Sequence, residues 1–114
     1  MAEPRVSSTA TSLSPLRNTY FIDIDGTIAR TAGADYGGAV PIRSRIERVN
    51  ALYDDGHIVV YWTARGTLSG VNWYDVTKSQ LEEWGAKHHE LRMGKPAFDV
   101  LVDDKAMSDS AFFI

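Results

Sequence analysis

The sequence predicts an α/β fold, a three-layer sandwich in which helices cover a parallel, Rossmann-like sheet, and two observations lead to this prediction. First, short apolar runs alternate along the chain with segments whose apolar residues recur at helical spacing. Second, the runs are continuous, as in HIVVYW at 57–62, which is typical of strands that are buried on both faces of a parallel sheet.

The predicted elements follow an N-terminal segment and continue to the C-terminus. The first strand, 20–25, ends at Gly26, because glycine after polar residues interrupts a strand. A helix over 41–55 begins at Pro41, which suits a first helical turn, and ends before Gly56, a common helix stop. The remaining elements are a strand at 57–62, a helix at 75–84, a short strand at 89–93 and a last strand at 98–102.

The chain of 114 residues is long enough for one domain. Residues 1–18, rich in Ser, Thr, Ala and Pro, are predicted to form a flexible arm, and 19–114 the domain. The net charge of −3 argues against a broad nucleic-acid-binding surface, and the apolar runs are too short for a membrane span. Cysteine is absent, which excludes disulfides and thiolate metal sites but says little about the cellular compartment. No signal-like apolar run follows the charges near the N-terminus, so a cytoplasmic enzyme is the default expectation.

Polar residues stand at the carboxyl ends of three predicted strands. Asp23 and Asp25 end the first, Thr63 follows the second, and Asp103 and Asp104 follow the last. Ligands of such sheets bind beyond the carboxyl ends of the strands, so we expect these side chains to meet at one edge. Carboxylates that meet require a cation, and oxygen ligands without a nearby His or Cys favour Mg²⁺ over zinc.

Lys95 adds a positive charge just before the last predicted strand. A lysine and a metal ion together neutralise the charge of a phosphate, which allows a carboxylate to approach the phosphorus atom. An aspartate at a strand end can then attack phosphorus and form an aspartyl-phosphate. The residues at this edge therefore favour phosphoryl transfer.

Four segments of the chain resemble the motifs of the haloacid dehalogenase superfamily, and they occur in that family's order. FIDIDGT at 21–27 resembles the first motif, an apolar strand followed by D-x-D-G-T. IVVYWT at 58–63 resembles the second, Lys95 stands where the third motif has its lysine, and VLVDD at 100–104 resembles the fourth, which ends in paired acids. The resemblance covers nearly all of the predicted domain and implies a haloacid dehalogenase-like fold.

The resemblance implies a phosphatase that works through a phosphoenzyme. Asp23 corresponds to the nucleophile, and Asp25 to the general acid that later activates water as a base. Thr63 and Lys95 would hold the phosphoryl group. Family members with a second Asp in the first motif transfer phosphate to water or to sugars, so we expect hydrolysis of a small phosphorylated metabolite, such as a sugar phosphate.

The metal ion that the resemblance implies is Mg²⁺. Its expected ligands are the carboxylate of Asp23, the backbone carbonyl of Asp25 and the carboxylate of Asp104. Asp103, the other acid of the fourth motif, is expected to contact Lys95 instead. The residues expected to bind substrate are Gly26, Thr63, Ala64, Arg65 and Lys95.

Two alternatives to a small-molecule phosphatase remain open. TAR at 63–65 is similar to the S-x-R segment of polynucleotide 3′-phosphatase domains, so a nucleic-acid end phosphatase is the first. In that case Arg65 would clamp a phosphate, whereas an arginine on a loop is otherwise commonly solvated. The second alternative is a binding module that keeps the fold without catalysis, although the intact acids and lysine argue against it.

The chain has no room for the cap domain that most relatives carry. Only 29–40 and 65–74 lie where relatives insert one, and both are too short. With strands in the expected order 3-2-1-4, the catalytic edge stays open unless a loop, the substrate or a second copy covers it. The tail AFFI at 111–114 is apolar, so we expect a homo-oligomer with loop 30–41 or this tail near the interface. The alternative is that its two phenylalanines close the chain's own core.

Overall fold

The computed structural model describes residues 16–114, so residues 1–15, most of the predicted arm, lie outside the described residues. A parallel sheet with helices confirms the predicted α/β class. None of the described helices is long and apolar enough to cross a membrane. The elements are β1 (Thr19–Ile22), β2 (Ala29–Arg30), a 3₁₀ helix (Tyr36–Gly38), β3 (Val40–Pro41), α1 (Arg43–Asp54), β4 (Ile58–Trp62), α2 (Tyr74–Glu83), β5 (Glu90–Arg92) and α3 (Asp109–Phe112).

The main sheet has three parallel strands in the order β1-β4-β5, which is the order expected for the first three predicted strands. Ile22 lies beside Tyr61, and Tyr61 lies beside Leu91, so these side chains point to the same face. Because the strands are parallel, the residues that follow β1 and β4 come out at the same edge of the sheet. This edge carries the candidate site.

One hydrophobic core joins the sheet to both long helices. Ile22, Val59 and Tyr61 line the sheet side of this core. The helices cover them with apolar side chains, each of which contributes roughly 1.5–3 kcal/mol when it is fully buried. These helix-side residues are Ile46, Val49, Leu52, Leu81 and Trp84.

Both long helices lie on the same face of the sheet, so residues 16–114 form two layers of the predicted three-layer sandwich. Crossovers between parallel strands are right-handed, and the two crossovers here step in the same direction across the sheet. Equal steps place both helices on one face. The opposite face carries Phe21, Val60 and Trp62, and no α-helix of the described chain covers it. The third layer of the predicted sandwich therefore stays a prediction.

The predicted last strand, 98–102, is not formed. Residues 96–108, here termed the exposed stretch, are all exposed, and Val102 keeps 92% of its surface accessible. A cavity of about 1280 Å³, which both segments line, separates this stretch from β1. The composition is that of a strand, but a strand is stable only when its backbone groups join a hydrogen-bond ladder, and 98–102 pairs with no strand of the described chain. The sequence pattern did not reveal this separation.

The apolar tail packs on the chain's own domain. The rings of Phe112 and Tyr20 lie 6.1 Å apart, and the guanidinium of Arg45 lies 4.8 Å from the centre of the Phe113 ring. Both phenylalanines are half-buried against the core. These contacts support the alternative in which the tail closes the chain's own core. A homo-oligomer stays a prediction, and its remaining basis is the open catalytic edge.

Two short loops occupy the places where a cap domain would be inserted. β2 and β3 pair in antiparallel fashion and close the first loop into a small hairpin. The second loop turns at Gly66, whose φ is +82°. A Cβ atom at this position would lie 2.0 Å from the carbonyl oxygen of Val71, so only glycine fits. The hairpin and this turn meet where Tyr36 packs edge-on against Trp73, with ring centres 5.1 Å apart.

Candidate functional site

The carboxylate of Asp23 lies directly beyond β1, between a cation and a hydroxyl. Its Oδ1 is 3.1 Å from Nζ of Lys95, and its Oδ2 accepts a hydrogen bond from Oγ1 of Thr27 at 2.9 Å. The Asp23 side chain is 34% exposed and that of Lys95 17%, so solvent reaches the carboxylate while the lysine is largely covered. The structure thus brings the predicted nucleophile and the predicted phosphate-binding lysine into contact.

A tight turn holds the two acids of the first motif. The carbonyl of Ile24 accepts hydrogen bonds from the backbone N–H groups of 27–29, and Ile24 itself is fully buried. Its neighbours Asp23 and Asp25 therefore turn away from the core. Gly26 has a φ of +81°, and its N–H donates to a carbonyl within the same turn. Gly26 therefore shapes the turn. Because its N–H already has a partner in the turn, its contact with a phosphate stays a prediction.

Arg65 holds the carboxylate of Asp25 by two parallel hydrogen bonds. Nε donates to Oδ2 at 2.8 Å, and Nη2 donates to Oδ1 at 2.8 Å. Thr31 donates a third hydrogen bond, from Oγ1 to Oδ1 at 2.5 Å. Two-point pairing of this kind fixes the orientation of a carboxylate as well as its charge. The Asp25 side chain stays 23% exposed, so one side of it faces the solvent.

The guanidinium of Arg65 is itself anchored from α2. Its Nη1 donates to Oγ1 of Thr77 at 3.1 Å and to Oε1 of Gln80 at 2.6 Å. The amide nitrogen of Gln80 donates in turn to the carbonyl of Tyr36 at 2.7 Å, and the Tyr36 ring lies 5.0 Å from the guanidinium carbon. The Arg65 side chain has no exposed surface. Neither sequence-based expectation for Arg65, a phosphate clamp or a solvated loop residue, describes this environment.

Thr63 ties the end of β4 to the end of β5 and to the segment that follows β5. Its backbone N–H donates to the carbonyl of Arg92, and its carbonyl accepts from the N–H of Lys95, both at 3.0 Å. Its hydroxyl accepts the N–H of Arg65 at 3.1 Å and keeps its own hydrogen for a further bond. The residue is 1% exposed. Ala64, the next residue, is half-buried, and the two predicted roles in substrate binding stay predictions.

Two aromatic residues lie near the ammonium group of Lys95. Its Nζ lies 5.9 Å from the centre of the Trp62 ring and 5.4 Å from that of Phe98. Ring faces attract an ammonium group through the quadrupole of the ring. Phe21 packs edge-on against Trp62, with centres 5.6 Å apart. These contacts help to hold Lys95 beside Asp23.

The acids of the fourth motif lie apart from this arrangement, on the exposed stretch. The backbone N–H of Lys105 donates to Oδ1 of Asp103 at 2.9 Å, and this bond, with a smaller contribution from the Asp104 side chain, holds the pKa of Asp103 below its ordinary value. The carboxylate of Asp104 lies 3.7 Å from Nζ of Lys105, and its side chain is 84% exposed. The expected contact between Asp103 and Lys95 is not made.

A magnesium site at these residues stays a prediction. Their chemistry is suitable, because carboxylate and carbonyl oxygens are the ligands that Mg²⁺ prefers. Among residues 16–114, no group of three or more His, Cys, Asp or Glu side chains is arranged to hold a metal ion, but the predicted set includes only two carboxylates beside the carbonyl of Asp25. Asp23 and Asp25 lie on one turn, whereas Asp104 belongs to the exposed stretch. The geometry therefore offers part of the expected ligand set.

Four polar residues that support the site were not assigned a role from the sequence. Thr27 and Thr31 each bind one acid of the first motif, and a hydroxyl shortly after D-x-D was the available signal. Thr77 and Gln80 hold Arg65. Their signal was a polar pair, three residues apart, on the apolar side of the predicted helix, which is the spacing that places two side chains on the same helical face.

No protein-family model matches the chain, and no curated protein does. Among solved structures, the chain is similar to the crystal structure of a target protein from Vibrio cholerae, with 22% sequence identity and a TM-score of 0.77. The match covers 84% of this chain and 87% of that chain. A likeness at this level of identity establishes a shared fold, and the chemistry has to be argued from the residues of the chain itself.

Proposed function

We propose that this chain is a phosphatase that hydrolyses a phosphomonoester by way of a phospho-Asp23 intermediate. The observation that carries the proposal is the 3.1 Å contact between Oδ1 of Asp23 and Nζ of Lys95 at the carboxyl-end edge of the sheet. At such a place a cation offsets the charge of a phosphate while a carboxylate oxygen stays within reach of phosphorus. The substrate that we propose is a small phosphorylated metabolite, such as a sugar phosphate.

In the first step, a carboxylate oxygen of Asp23 forms a bond to phosphorus while the bond from phosphorus to the leaving oxygen breaks. Lys95 binds the phosphoryl oxygens, and Thr27 keeps the carboxylate oriented through its 2.9 Å hydrogen bond. Asp25 gives a proton to the leaving oxygen, so that an alcohol departs rather than an alkoxide. The products of this step are the free alcohol and the aspartyl-phosphate.

In the second step, a water molecule attacks the phosphorus atom of the aspartyl-phosphate. Asp25, now a carboxylate, accepts a proton from that water. The bond between phosphorus and the Asp23 oxygen breaks, which releases inorganic phosphate and restores both acids. The carboxylate chemistry and the family resemblance support a requirement for Mg²⁺, which would offset the charge of the phosphate.

The two alternative functions have less support. A nucleic-acid end phosphatase was suggested by Arg65 as a phosphate clamp, but this side chain is buried and bonded to Asp25. An idle binding module would not require Asp23 to be held by both a lysine and a hydroxyl. The idle module also leaves unexplained why the polar contacts converge on the two acids of one turn.

Turnover of p-nitrophenyl phosphate in the presence of Mg²⁺ tests the proposal, with Asp23→Asn as the decisive variant. An amide oxygen cannot form the aspartyl-phosphate, so we expect the rate to fall to the uncatalysed background. The matched control is Asp54→Asn, which makes the same change at a surface carboxylate that pairs with Lys87. It should retain the wild-type rate.

Circular dichroism and thermal melting establish that both variants are folded. Sugar phosphates, nucleotides and 3′-phosphorylated oligonucleotides, assayed in parallel, separate the proposed substrate class from the nucleic-acid alternative. Wild-type rates in a verified Asp23→Asn preparation would refute the mechanism. A wild-type chain that turns over none of these esters would favour the binding module.

A further inference from the structure

Arg65 is bonded so completely that it has little capacity left for a ligand. Four of its five N–H groups are engaged: two by Asp25, and the two on Nη1 by Thr77 and Gln80. Its side chain has no exposed surface. A phosphate would have to displace these bonds and open the core to reach the guanidinium. The contacts therefore point inward, to the support of another residue.

The pair of Arg65 and Asp25 is anchored at one end and open at the other. Thr77 and Gln80 belong to α2, which packs in the core, so the guanidinium is fixed to the rigid body of the domain. Asp25 projects from that support and keeps 23% of its side chain exposed beside Asp23. A buried ion pair is by itself weak evidence for a role in stability. In this pair only the arginine is fully buried, so it can hold the partly exposed carboxylate of Asp25 in a fixed position at the site.

The hydrogen bonds also distinguish the two oxygens of Asp25. A carboxylate offers about four lone-pair positions, two on each oxygen. Oδ1 accepts from both Arg65 and Thr31, so both of its positions are occupied. Oδ2 accepts from Nε of Arg65 and, among the contacts of the described residues, has one position left. The position left free to exchange a proton is therefore on Oδ2.

We propose that Arg65 is the positioning residue of the acid–base step, which holds Asp25 so that Oδ2 exchanges a proton with the leaving oxygen and later with water. The proposal rests on the proposed phosphatase function. Arg65 acts through Asp25 and touches neither the phosphate nor the leaving group. It gives the TAR segment a role that differs from phosphate binding.

The dependence of rate on the leaving group distinguishes positioning from a structural role. An aryl phosphate such as p-nitrophenyl phosphate releases a stable phenolate and needs little help from an acid, whereas an alkyl phosphate such as glycerol phosphate needs a proton on its leaving oxygen. A loss of folded protein lowers both rates by the same factor. A misplaced Asp25 lowers the alkyl rate more than the aryl rate.

The experiment compares kcat/KM for the two esters in the full chain and its variants. The ratio of kcat/KM for the aryl ester to kcat/KM for the alkyl ester should rise most in Asp25→Asn, which removes the acid itself. Arg65→Met removes both the charge and the two-point contact with Asp25, whereas Arg65→Lys keeps a charge but loses the two-point contact. We expect both to raise the ratio by about tenfold or more. The double variant with Asp25→Asn should raise it no further, because the two residues act in one step.

Two further variants guard the interpretation. Gln80→Met loosens Arg65 from α2 and leaves both charges in place, so it should raise the ratio in the same direction and serves where Arg65→Met does not fold. Arg43→Lys is the matched control, because this arginine donates to the carbonyl of Trp84 and contacts neither acid. It should leave the ratio unchanged.

Three results are informative. A raised ratio in folded Arg65 and Gln80 variants supports the proposal. Equal losses on both esters in those variants would overturn it while leaving the phosphatase function intact, because the wild-type chain would still be active and still depend on Asp23. A wild-type chain that is inactive on both esters and on the sugar phosphates, nucleotides and oligonucleotides named above would overturn the phosphatase function and, with it, the role of Arg65.

Discussion

Asp23 and Asp25 lie on a turn whose carbonyl and N–H groups are bonded within the domain, whereas Asp103 and Asp104 lie on an exposed stretch of extended chain. The first pair is held by Lys95 and by an arginine from the loop after β4, both remote in sequence. The second pair contacts its own neighbour in sequence. Identical residue types thus acquire different surroundings, and the difference lies in whether the partners come from other elements of the fold.

The largest expected effect concerns the stability of the two regions. Leu81 is fully buried on α2, the helix that anchors Arg65, so Leu81→Ala should lower the free energy of unfolding by about 2–5 kcal/mol. Val102→Ala removes a side chain that is 92% exposed and should change it by less than about 0.5 kcal/mol. Urea unfolding of both variants measures the contrast. Comparable losses would mean that the exposed stretch packs in solution.

The difference between these regions also marks how far the sequence alone could lead. Continuous apolar runs correctly predicted β1 and β4, because each finds a partner strand and a helix within the next few dozen residues. The run at 98–102 has the same composition and remains unpaired. Composition states which residues can form a strand, but it does not state whether another strand lies within hydrogen-bonding distance.

The site could be predicted in the same uneven way. The family resemblance placed Lys95 near Asp23, and in the structure Nζ of Lys95 lies 3.1 Å from Oδ1 of Asp23. The buried contacts of Arg65 could not be predicted, because they depend on Gln80, which looks in the sequence like an ordinary polar residue of a helix. A buried polar network depends on the orientation of each side chain, whereas residue spacing indicates only which side chains share a face of a helix or strand.

The second expected effect concerns the acids of the fourth motif. Asp104→Ala should raise the Mg²⁺ concentration required for half-maximal activity by roughly 10–100-fold, and Asp103→Ala should raise it less. The reason is that Asp103 already accepts the N–H of Lys105, while the Asp104 carboxylate is 84% exposed. Magnesium titrations of turnover measure the shift, and Mg²⁺ binding followed by calorimetry provides a readout that is independent of activity.

The outcome decides whether the two regions work together. A larger effect of Asp103→Ala would reverse the assignment of the ligand. If neither variant changes the magnesium requirement, the exposed stretch takes no part in the site, and the turn with Asp23 and Asp25 works without it. EDTA should abolish the activity of the wild-type chain if the proposed metal dependence is correct.

The smallest expected effect lies where the exposed stretch rejoins the domain. Arg45 bonds Asp109 at 2.7 Å, and this hydrogen bond lowers the pKa of Asp109 below its ordinary value. The pair therefore contributes stability above the ordinary carboxyl pKa of about 4 and loses that contribution as the pH falls through the lower, folded-state pKa. Because the Asp109 side chain is 41% exposed, solvent screening limits the contribution to about 1 kcal/mol or less.

Asp109→Asn tests this contact. At pH 7 it should lower the free energy of unfolding by that small amount, and the difference from the wild-type chain should disappear in acid. Chemical unfolding at several pH values measures both. A difference that persists at low pH would show that the residue acts through the cap of α3 rather than through its charge.

The order of the strands across the sheet has a consequence for how the chain folds. In the main sheet, β4 lies next to β1 and β5 lies next to β4, so each strand of this sheet pairs with the strand of the same sheet that precedes it in the chain. The entropy lost in closing a loop grows with the length of that loop, so each of these steps closes a modest segment, and the sheet can assemble in chain order. A pairing of 98–102 with the remaining edge of β1 would instead close almost the whole domain at once. Such a pairing would carry the largest loop-closure cost of the sheet, and the turn that holds Asp23 and Asp25 forms its hydrogen bonds without it.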